Sequence, residues 1–337
     1  MARRLKEYIT IGLKGMAMGA ADVVPGVSGG TIAFITGIYE ELLSAISSFN
    51  LELLKKLKKD GLKAAWAHIN GSFLLALFIG IIISVLSLAK SITWLLENQA
   101  ILLWSFFFGL VLASIFYIAK QVSKWTVLSV FLLVIGTFCA YYITTLNPLM
   151  NDESSLFFMF LAGSIAICAM ILPGISGSFI LVLLGAYKPI LTAVNDRDLK
   201  TIAAVGLGAI IGLLSFSKIL KWLFANYKNY TLATLTGFIV GSLNKIWPWK
   251  ITETVFDKSS GTIVAFDTIS NLGSLTVYQK QINTFETYKI ALEKSVLPLK
   301  YTEANLGENN NLVLAIALAI LGFVLILVLE KLAKKKT

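Results

Sequence analysis

Cysteine, histidine and charged residues are all scarce in this sequence. Two of the 337 residues are cysteine, one is histidine, and only 14% carry a charge. A single histidine excludes a metal centre built on several imidazoles, and both cysteines stand in apolar stretches, which predicts buried thiols. Soluble domains carry about 25% charged residues. The composition therefore excludes a soluble enzyme, and we expect neither a bound metal nor a cofactor.

Hydrophobic residues are correspondingly in excess. They make up 57% of the chain, and the mean hydropathy is +0.79. One soluble core of this size cannot bury that excess, so the composition predicts a polytopic membrane protein. The net charge of +10 would suggest nucleic-acid binding in a soluble protein, but Lys and Arg accumulate in the cytoplasmic segments of membrane proteins. We expect no nucleic-acid partner.

Six apolar segments reach the length of about 20 residues that a membrane-spanning helix needs. They are residues 72–96, 99–119, 125–146, 199–223, 230–247 and 311–332. Two further apolar regions, 8–49 and 156–194, are about twice that length and are interrupted by Pro and Gly. Lipid does not tolerate a polar, Gly-rich interruption, whereas a cavity lined by protein does. We interpret each region as a re-entrant helical hairpin, with two full spans as the alternative.

The two interruptions belong to an internal repeat. Shifting residues 25–46 by 148 positions onto 173–194 gives nine identities in 22, including a shared Pro-Gly-x-Ser-Gly and a later Gly-x-Tyr. Residues 25–31 are called the first motif below, and residues 173–179 the second motif. Three spans separate the hairpins, and this odd number would make them enter from opposite sides. The sequence predicts an all-α membrane protein of two inverted-topology repeats, each a hairpin plus three transmembrane helices, as in many secondary transporters.

The predicted repeats divide the chain near residue 150. The first repeat is 1–150, with its hairpin at 8–49, and the second is 151–337, with its hairpin at 156–194. If the N-terminus lies inside, the inner segments hold 17 Lys and Arg, and the short outer loops hold two. This bias predicts that both termini are cytoplasmic.

Two segments fall outside the repeat. Residues 51–67 carry five lysines among apolar residues, which predicts a basic amphipathic helix on anionic lipids of the inner surface, or alternatively a solvated loop. Residues 250–310 are polar and predicted to form an extracytoplasmic insertion. Alternating residues at 261–266 and 274–278 predict a small β-hairpin or a strand pair there. The insertion covers a site, binds a partner or is a passive loop.

The two motifs predict anion binding. The loop-shaping residues are Pro25, Gly26, Pro173 and Gly174. Proline ends the incoming helix and glycine permits a tight turn. Ser28 and Ser176 are suited to cap the next helix, whose first N–H groups and positive dipole end favour phosphate or carboxylate. The alternative is that both motifs only turn the chain.

Asp22 is an acid within an apolar segment. It precedes the first motif, and its counterpart in the second repeat is Met170. A carboxylate in such a segment is costly and is usually functional. It couples proton movement, caps N–H groups of the loop or pairs with a lysine such as Lys14. No lysine follows Gly29 and Gly30 as in a P-loop, and the sequence predicts no enzymatic activity.

Both motifs also resemble a known family. Residues 15–31 (GMAMGAADVVPGVSGGT) with 37–40 (GIYE) resemble the signature of the bacterial polyprenyl-phosphate transporters, and 171–178 (ILPGISGS) with 184–187 (LGAY) resemble its second half. The resemblance implies a lipid flippase of the bacterial cytoplasmic (inner) membrane. It would return undecaprenyl phosphate from the outer to the inner leaflet for reuse in peptidoglycan and envelope biogenesis. The implied phosphate contacts are Ser28, Gly29, Gly30, Thr31, Ser176, Gly177 and Ser178.

Two other functions compete with this interpretation. A secondary transporter of a small anion would use the same kind of helix-end site. An undecaprenyl-diphosphate phosphatase would need a cation on the developing charge, and the motif position that would hold its arginine is Gly29 or Gly177. The sequence leaves open the transport direction, the driving ion and the oligomeric state, a homo-oligomer included.

Overall fold

The computed structural model describes residues 3–24, 27–146, 155–257, 263–266, 288–305 and 309–334. The chain is mostly helical in these ranges. The first half contains α1 (Leu5–Val23), α2 (Gly29–Ile35), α3 (Tyr39–Ser47), α4 (Leu51–His68), α5 (Gly71–Asn98), α6 (Ala100–Ala119) and α7 (Val127–Thr145). The second half contains α8 (Leu156–Ile171), α9 (Gly177–Leu183), α10 (Tyr187–Asn195), α11 (Leu199–Asn226), α12 (Lys228–Ser242), α13 (Pro298–Ala304) and α14 (Leu312–Lys334).

Four helices of the described chain are long and apolar enough to cross a membrane, namely α5, α6, α7 and α11. They coincide with four of the six predicted spans. The predicted span 230–247 contains the 15-residue helix α12, and the predicted span 311–332 lies in the apolar helix α14. Large apolar side chains such as Phe131 and Phe138 of α7 are exposed, as expected where lipid is the solvent. The prediction of a mostly helical membrane protein is confirmed by these long apolar helices.

Each interrupted region forms three helices rather than two. The returning arm of the first region is divided into α2 and α3, and that of the second into α9 and α10. The division falls at Gly37 and Gly185, whose φ angles are 72° and 71°. The amide N–H of the next residue, Ile38 or Ala186, bonds to the carbonyl five positions earlier. This is a Schellman helix end, which favours glycine because a Cβ would be strained at a positive φ angle and glycine has none.

The helices pack in close pairs. Helix α1 packs on α5 and α8 on α11, while α7 packs on α12 and α6 on α14. Glycines make this possible, because a Cβ at Gly15 would collide with the Leu77 carbonyl, and one at Gly163 with the Val205 carbonyl. Small residues at such crossings let two helix backbones approach closely.

Polar contacts join segments at the two ends of the helix bundle. At one end, Arg3 makes two hydrogen bonds of 2.7 and 2.8 Å to the Glu41 carboxylate, and Lys228 pairs with Glu40 at 2.7 Å. At the other end, the amide of Asn244 donates to the hydroxyl of Thr144 over 2.8 Å.

A small antiparallel sheet follows α12. It contains β1 (Lys250–Asp257), β2 (Ile263–Ala265) and β3 (Tyr288–Ser295) in the order β2-β1-β3. Strand β2 lies within the predicted strand at 261–266, whereas the one predicted at 274–278 lies outside the described residues. Strands β1 and β3 were not predicted. The indole N–H of Trp247 donates to the Val296 carbonyl over 2.7 Å and ties the sheet to the helices.

Candidate functional site at the junction of the two motifs

The first motif and the end of α8 lie in direct contact. The amide of Gly174 donates to the Thr31 hydroxyl over 3.0 Å, and the Ser28 hydroxyl donates to the Met170 carbonyl over 3.4 Å. A Cβ at Gly30 would lie 2.8 Å from the carbonyl oxygen of Ile171. Segments about 140 positions apart therefore share hydrogen bonds at one junction.

The polar groups of the first motif are buried within this junction. Ser28 is 2% exposed and Thr31 is 1% exposed. The Ser28 hydroxyl also accepts from the amide of Gly30 at 3.1 Å and so caps α2. Gly29 is buried and Gly30 is half-buried. Pro25 and Gly26, the predicted loop-shaping pair of this motif, lie outside the described residues.

Helix α1 holds both ends of α2 with charged side chains. Asp22 Oδ1 accepts a hydrogen bond of 2.7 Å from the amide of Gly29 at the start of α2. Lys14 Nζ donates over 2.6 Å to the carbonyl of Thr36, the C-cap residue of α2. A carboxylate at the N-terminus and an ammonium at the C-terminus both complement a helix dipole. The hydrogen bond to Gly29 is of the kind that a capping carboxylate makes, and capping is one of the three roles predicted for Asp22.

Among the described residues, the second motif has no carboxylate at the start of its helix α9 equivalent to Asp22. Met170 occupies the position of Asp22 in the second repeat, and the Ser176 side chain makes no cap hydrogen bond to α9, contrary to the expected capping role. The hydroxyls of Ser176 and Ser178 lie 2.9 Å apart. Ser178 is exposed and Ser176 is half-buried. This motif therefore presents two accessible hydroxyls where the first motif presents none.

The backbone of the second motif is packed against its neighbours. Gly174 has a φ of 88°, and a Cβ there would lie 2.9 Å from the Ser242 hydroxyl of α12. Gly177 is buried, and a Cβ there would lie 2.7 Å from the Ala166 carbonyl. Pro173 is buried as well. At both glycines a Cβ would meet neighbouring atoms at less than 3.0 Å, so both positions are closely packed.

A lysine that sequence reasoning missed lies beside the second motif. The Lys245 ammonium is 4.8 Å from the ring centroid of Phe179, the residue that follows Ser178. Lys245 is half-buried, and among the described residues no carboxylate lies within ion-pair distance of it. It stands inside the predicted span 230–247. A lysine in an apolar span is itself a functional signal, and this signal could have identified it.

A second lysine, Lys250 of β1, holds the segment that carries Lys245. Its Nζ donates to the Lys245 carbonyl over 2.7 Å, lies 3.8 Å from the Glu293 carboxylate and stands 4.3 Å from the ring centroid of Trp104. The Lys250 side chain is only 9% exposed. Burial lowers the pKa of Lys250 to about 8, although the Glu293 carboxylate opposes this shift.

Metal chemistry has no visible support in the described part of the chain. No group of three or more His, Cys, Asp or Glu side chains in those ranges is placed to hold a metal ion. The Asp22 carboxylate lies at the first motif, whereas the hydroxyls of Ser176 and Ser178 and the nearby Lys245 ammonium are donors suited to an anion.

Comparison with known proteins places the chain among membrane transporters. Residues 18–264 match the family described as undecaprenyl phosphate translocase-like, and the chain belongs to that family. A Vibrio cholerae protein named polyprenyl-phosphate transporter is 44% identical over 335 residues, which cover 99% of this chain and 100% of the relative. A Staphylococcus aureus protein of the same name is 31% identical over 295 residues, or 80% and 97% of the two chains. No solved structure matches.

These relatives confirm the resemblance inferred from the two motifs. Both carry the name of a transporter rather than of an enzyme, in agreement with the prediction of a non-enzymatic membrane protein.

Proposed function

We propose that this protein is a flippase that returns undecaprenyl phosphate from the outer to the inner leaflet of the bacterial cytoplasmic membrane. The names of the two relatives support a polyprenyl phosphate as the cargo. The observation that carries the proposal is the junction of the two motifs, where apolar helices surround polar donors and one motif leaves hydroxyls accessible. Such donors suit the phosphate of a lipid whose tail stays in the bilayer.

The helix pairing supports two inverted-topology repeats, 1–150 and 151–337. Helices α2 and α9 both have seven residues, α3 and α10 both have nine, and α5 and α11 both have 28. The α1–α5 contact recurs as α8–α11. Seven and nine residues are far fewer than the roughly 20 of a full span. We therefore propose that α1–α3 and α8–α10 are re-entrant hairpins.

The contacts at the ends of the bundle support the proposed orientation. Arg3 precedes α1, Glu40 and Glu41 open α3, and Lys228 begins α12. All lie in segments predicted to be cytoplasmic, and they pair with one another. Segments on one side of a membrane meet readily, whereas segments on opposite sides do not. Both termini are proposed to be cytoplasmic.

The two motifs are proposed to bind the phosphate in turn. Ser176, Gly177 and Ser178 belong to the motif with accessible hydroxyls. The Ser28 and Thr31 hydroxyls become available only when their hydrogen bonds to Met170 and Gly174 break. The amides of Gly29 and Gly30 are bonded to Asp22 and Ser28 and must exchange those partners as well. A headgroup that reaches the second motif first would therefore compete with contacts between the two motifs. Exchange of these hydrogen bonds is our proposed basis of alternating access.

Helix α4 is proposed to lie on the inner membrane surface. Its apolar side chains are exposed, with Leu51 at 76%, Leu62 at 79% and Trp66 at 46%. Lysines lie among them along the same helix. Exposed leucines beside lysines are typical of interfacial helices that bind anionic lipids.

The proposal is tested by probing cells with an outside-binding reagent specific for undecaprenyl phosphate. Loss of the protein is expected to raise the outer pool, and a Ser176→Ala/Ser178→Ala double variant to raise it as well. Ser87→Ala is the matched control, because Ser87 is exposed on α5 and bonds only within that helix. An unchanged outer pool would overturn the proposal. Accumulated diphosphate would favour a phosphatase, and altered uptake of a small anion would favour a solute carrier.

A further inference from the structure

The second motif gains a positive charge from a distant part of the chain. Phe179 closes the motif, and the Lys245 ammonium lies 4.8 Å from its ring centroid. The contact is reinforced nearby, because Gly174 packs against Ser242, three positions before Lys245. The motif and the segment after α12 thus form one surface.

The ammonium of Lys245 has unused capacity for an anion. It carries three N–H donors, and a ring face attracts the charge without supplying an oxygen acceptor. Within the described ranges it has no carboxylate partner. The accessible Ser178 hydroxyl stands one position before Phe179. A phosphate monoester carries between one and two negative charges near neutral pH and has oxygens for both kinds of donor.

The sheet of β1 and β3 holds this segment in place. Lys250 of β1 donates to the Lys245 carbonyl over 2.7 Å, and the Ser295 hydroxyl of β3 donates to the Asn244 carbonyl over 3.1 Å. On the other side, Asn244 bonds to Thr144 of α7. The backbone at Lys245 is therefore anchored from both the sheet and a transmembrane helix.

We propose that Lys245 binds the phosphate of the lipid headgroup beside the second motif, and that strands β1 and β3 serve to position it through Lys250. Lys245 contacts the ligand, whereas Lys250 acts through Lys245. The inference rests on the proposed function, since it requires a phosphate monoester as cargo.

The test uses the purified full-length protein in lipid nanodiscs with three probes. These are a fluorescent short-chain polyprenyl monophosphate, the matching polyprenol without phosphate, and inorganic phosphate as competitor. Lys245→Gln is expected to weaken monophosphate binding roughly 10- to 100-fold, the loss expected for one charge-assisted hydrogen bond, and to leave polyprenol binding unchanged. Lys245→Arg is expected to restore most of the affinity. Lys294→Gln is the control, because Lys294 is an exposed lysine of the same sheet.

Lys250 is tested by a double-mutant cycle. Lys250→Met is expected to weaken monophosphate binding several-fold, and the Lys245→Gln/Lys250→Met protein to bind no more weakly than Lys245→Gln alone. Additive losses would overturn the positioning role. Unchanged monophosphate binding by Lys245→Gln, or an equal loss for the polyprenol, would overturn the role of Lys245.

Failure of the proposed function gives a different result. A wild-type protein that binds the polyprenol as tightly as the monophosphate would overturn lipid-phosphate transport itself. Displacement of the lipid by inorganic phosphate at equal concentration, sensitive to Lys245→Gln, would support the cation site but assign it to a free anion.

Discussion

Replacing Asp22 separates a capping role from proton coupling. Asp22 Oδ1 accepts the Gly29 amide at 2.7 Å. A hydrogen bond to a charged group contributes about 1.5–3 kcal/mol, and complementing the helix dipole adds about 0.3–1 kcal/mol. Asp22→Ala is therefore expected to lower the free energy of unfolding by roughly 2–4 kcal/mol. Asp22→Asn keeps an oxygen acceptor, and Asn caps helices about as well as Asp. It is therefore expected to lose only the contribution of the charge to the helix dipole, about 1 kcal/mol or less.

The assay combines thermal unfolding in detergent with flipping of a polyprenyl phosphate in proteoliposomes. If Asp22 is a cap, transport by Asp22→Asn stays within about twofold of the wild type, since the amide still holds Gly29. Asp60→Asn, an exposed change on α4, serves as the control. An Asp22→Asn protein of wild-type stability that no longer transports lipid would refute the capping interpretation, because an amide cannot carry the proton.

Three further predictions follow from the packing. Gly206→Ala is expected to stabilise the protein by roughly 0.5–1 kcal/mol, because its Cβ would enter open space. Gly208→Ala should destabilise the protein by about 1–3 kcal/mol, because its Cβ would collide with a carbonyl of α8. Chemical denaturation measures both free energies of unfolding. Tyr39→Phe removes the 3.1 Å hydrogen bond to the Ile171 carbonyl and should cost about 1 kcal/mol, a loss that an unchanged unfolding midpoint would contradict. Brominated lipids should quench wild-type tryptophan fluorescence more than that of Trp66→Phe, and equal quenching would place α4 away from the bilayer.

The internal repeat in the sequence allowed much of the fold to be predicted. Pro-Gly-x-Ser-Gly and Gly-x-Tyr predicted two related interruptions, and the structure places the motifs in contact. The glycine of each Gly-x-Tyr, Gly37 or Gly185, also ends a helix, α2 or α9. From the sequence alone, these glycines served only as evidence of the repeat. The sequence could not predict how the surroundings of the two motifs differ. Of the two equivalent serines, Ser28 is buried and bonds to the end of α8, whereas Ser176 is only half-buried.

The missed residues share a physical cause. Lys245 lies within the predicted span 230–247. Because hydropathy is averaged over about 20 residues, a single charge in an apolar segment does not stand out. Strands β1 and β3 pair across a long separation in sequence, and such pairing leaves only a weak local pattern. Lys250 gains its importance from its neighbours, Trp104 and Glu293, which no local pattern could supply.

The glycine-mediated helix pairs have a mechanical consequence. Where the Cα of Gly15 or Gly163 rests on a backbone carbonyl of the facing helix, sliding would drive one backbone into the other. Packed interfaces of this kind switch between discrete arrangements rather than deform. We therefore expect α1 with α5, and α8 with α11, to move as rigid bodies. The displacement that opens the site would then fall between these bodies, at the few hydrogen bonds that Ser28, Thr31 and Tyr39 make across the junction.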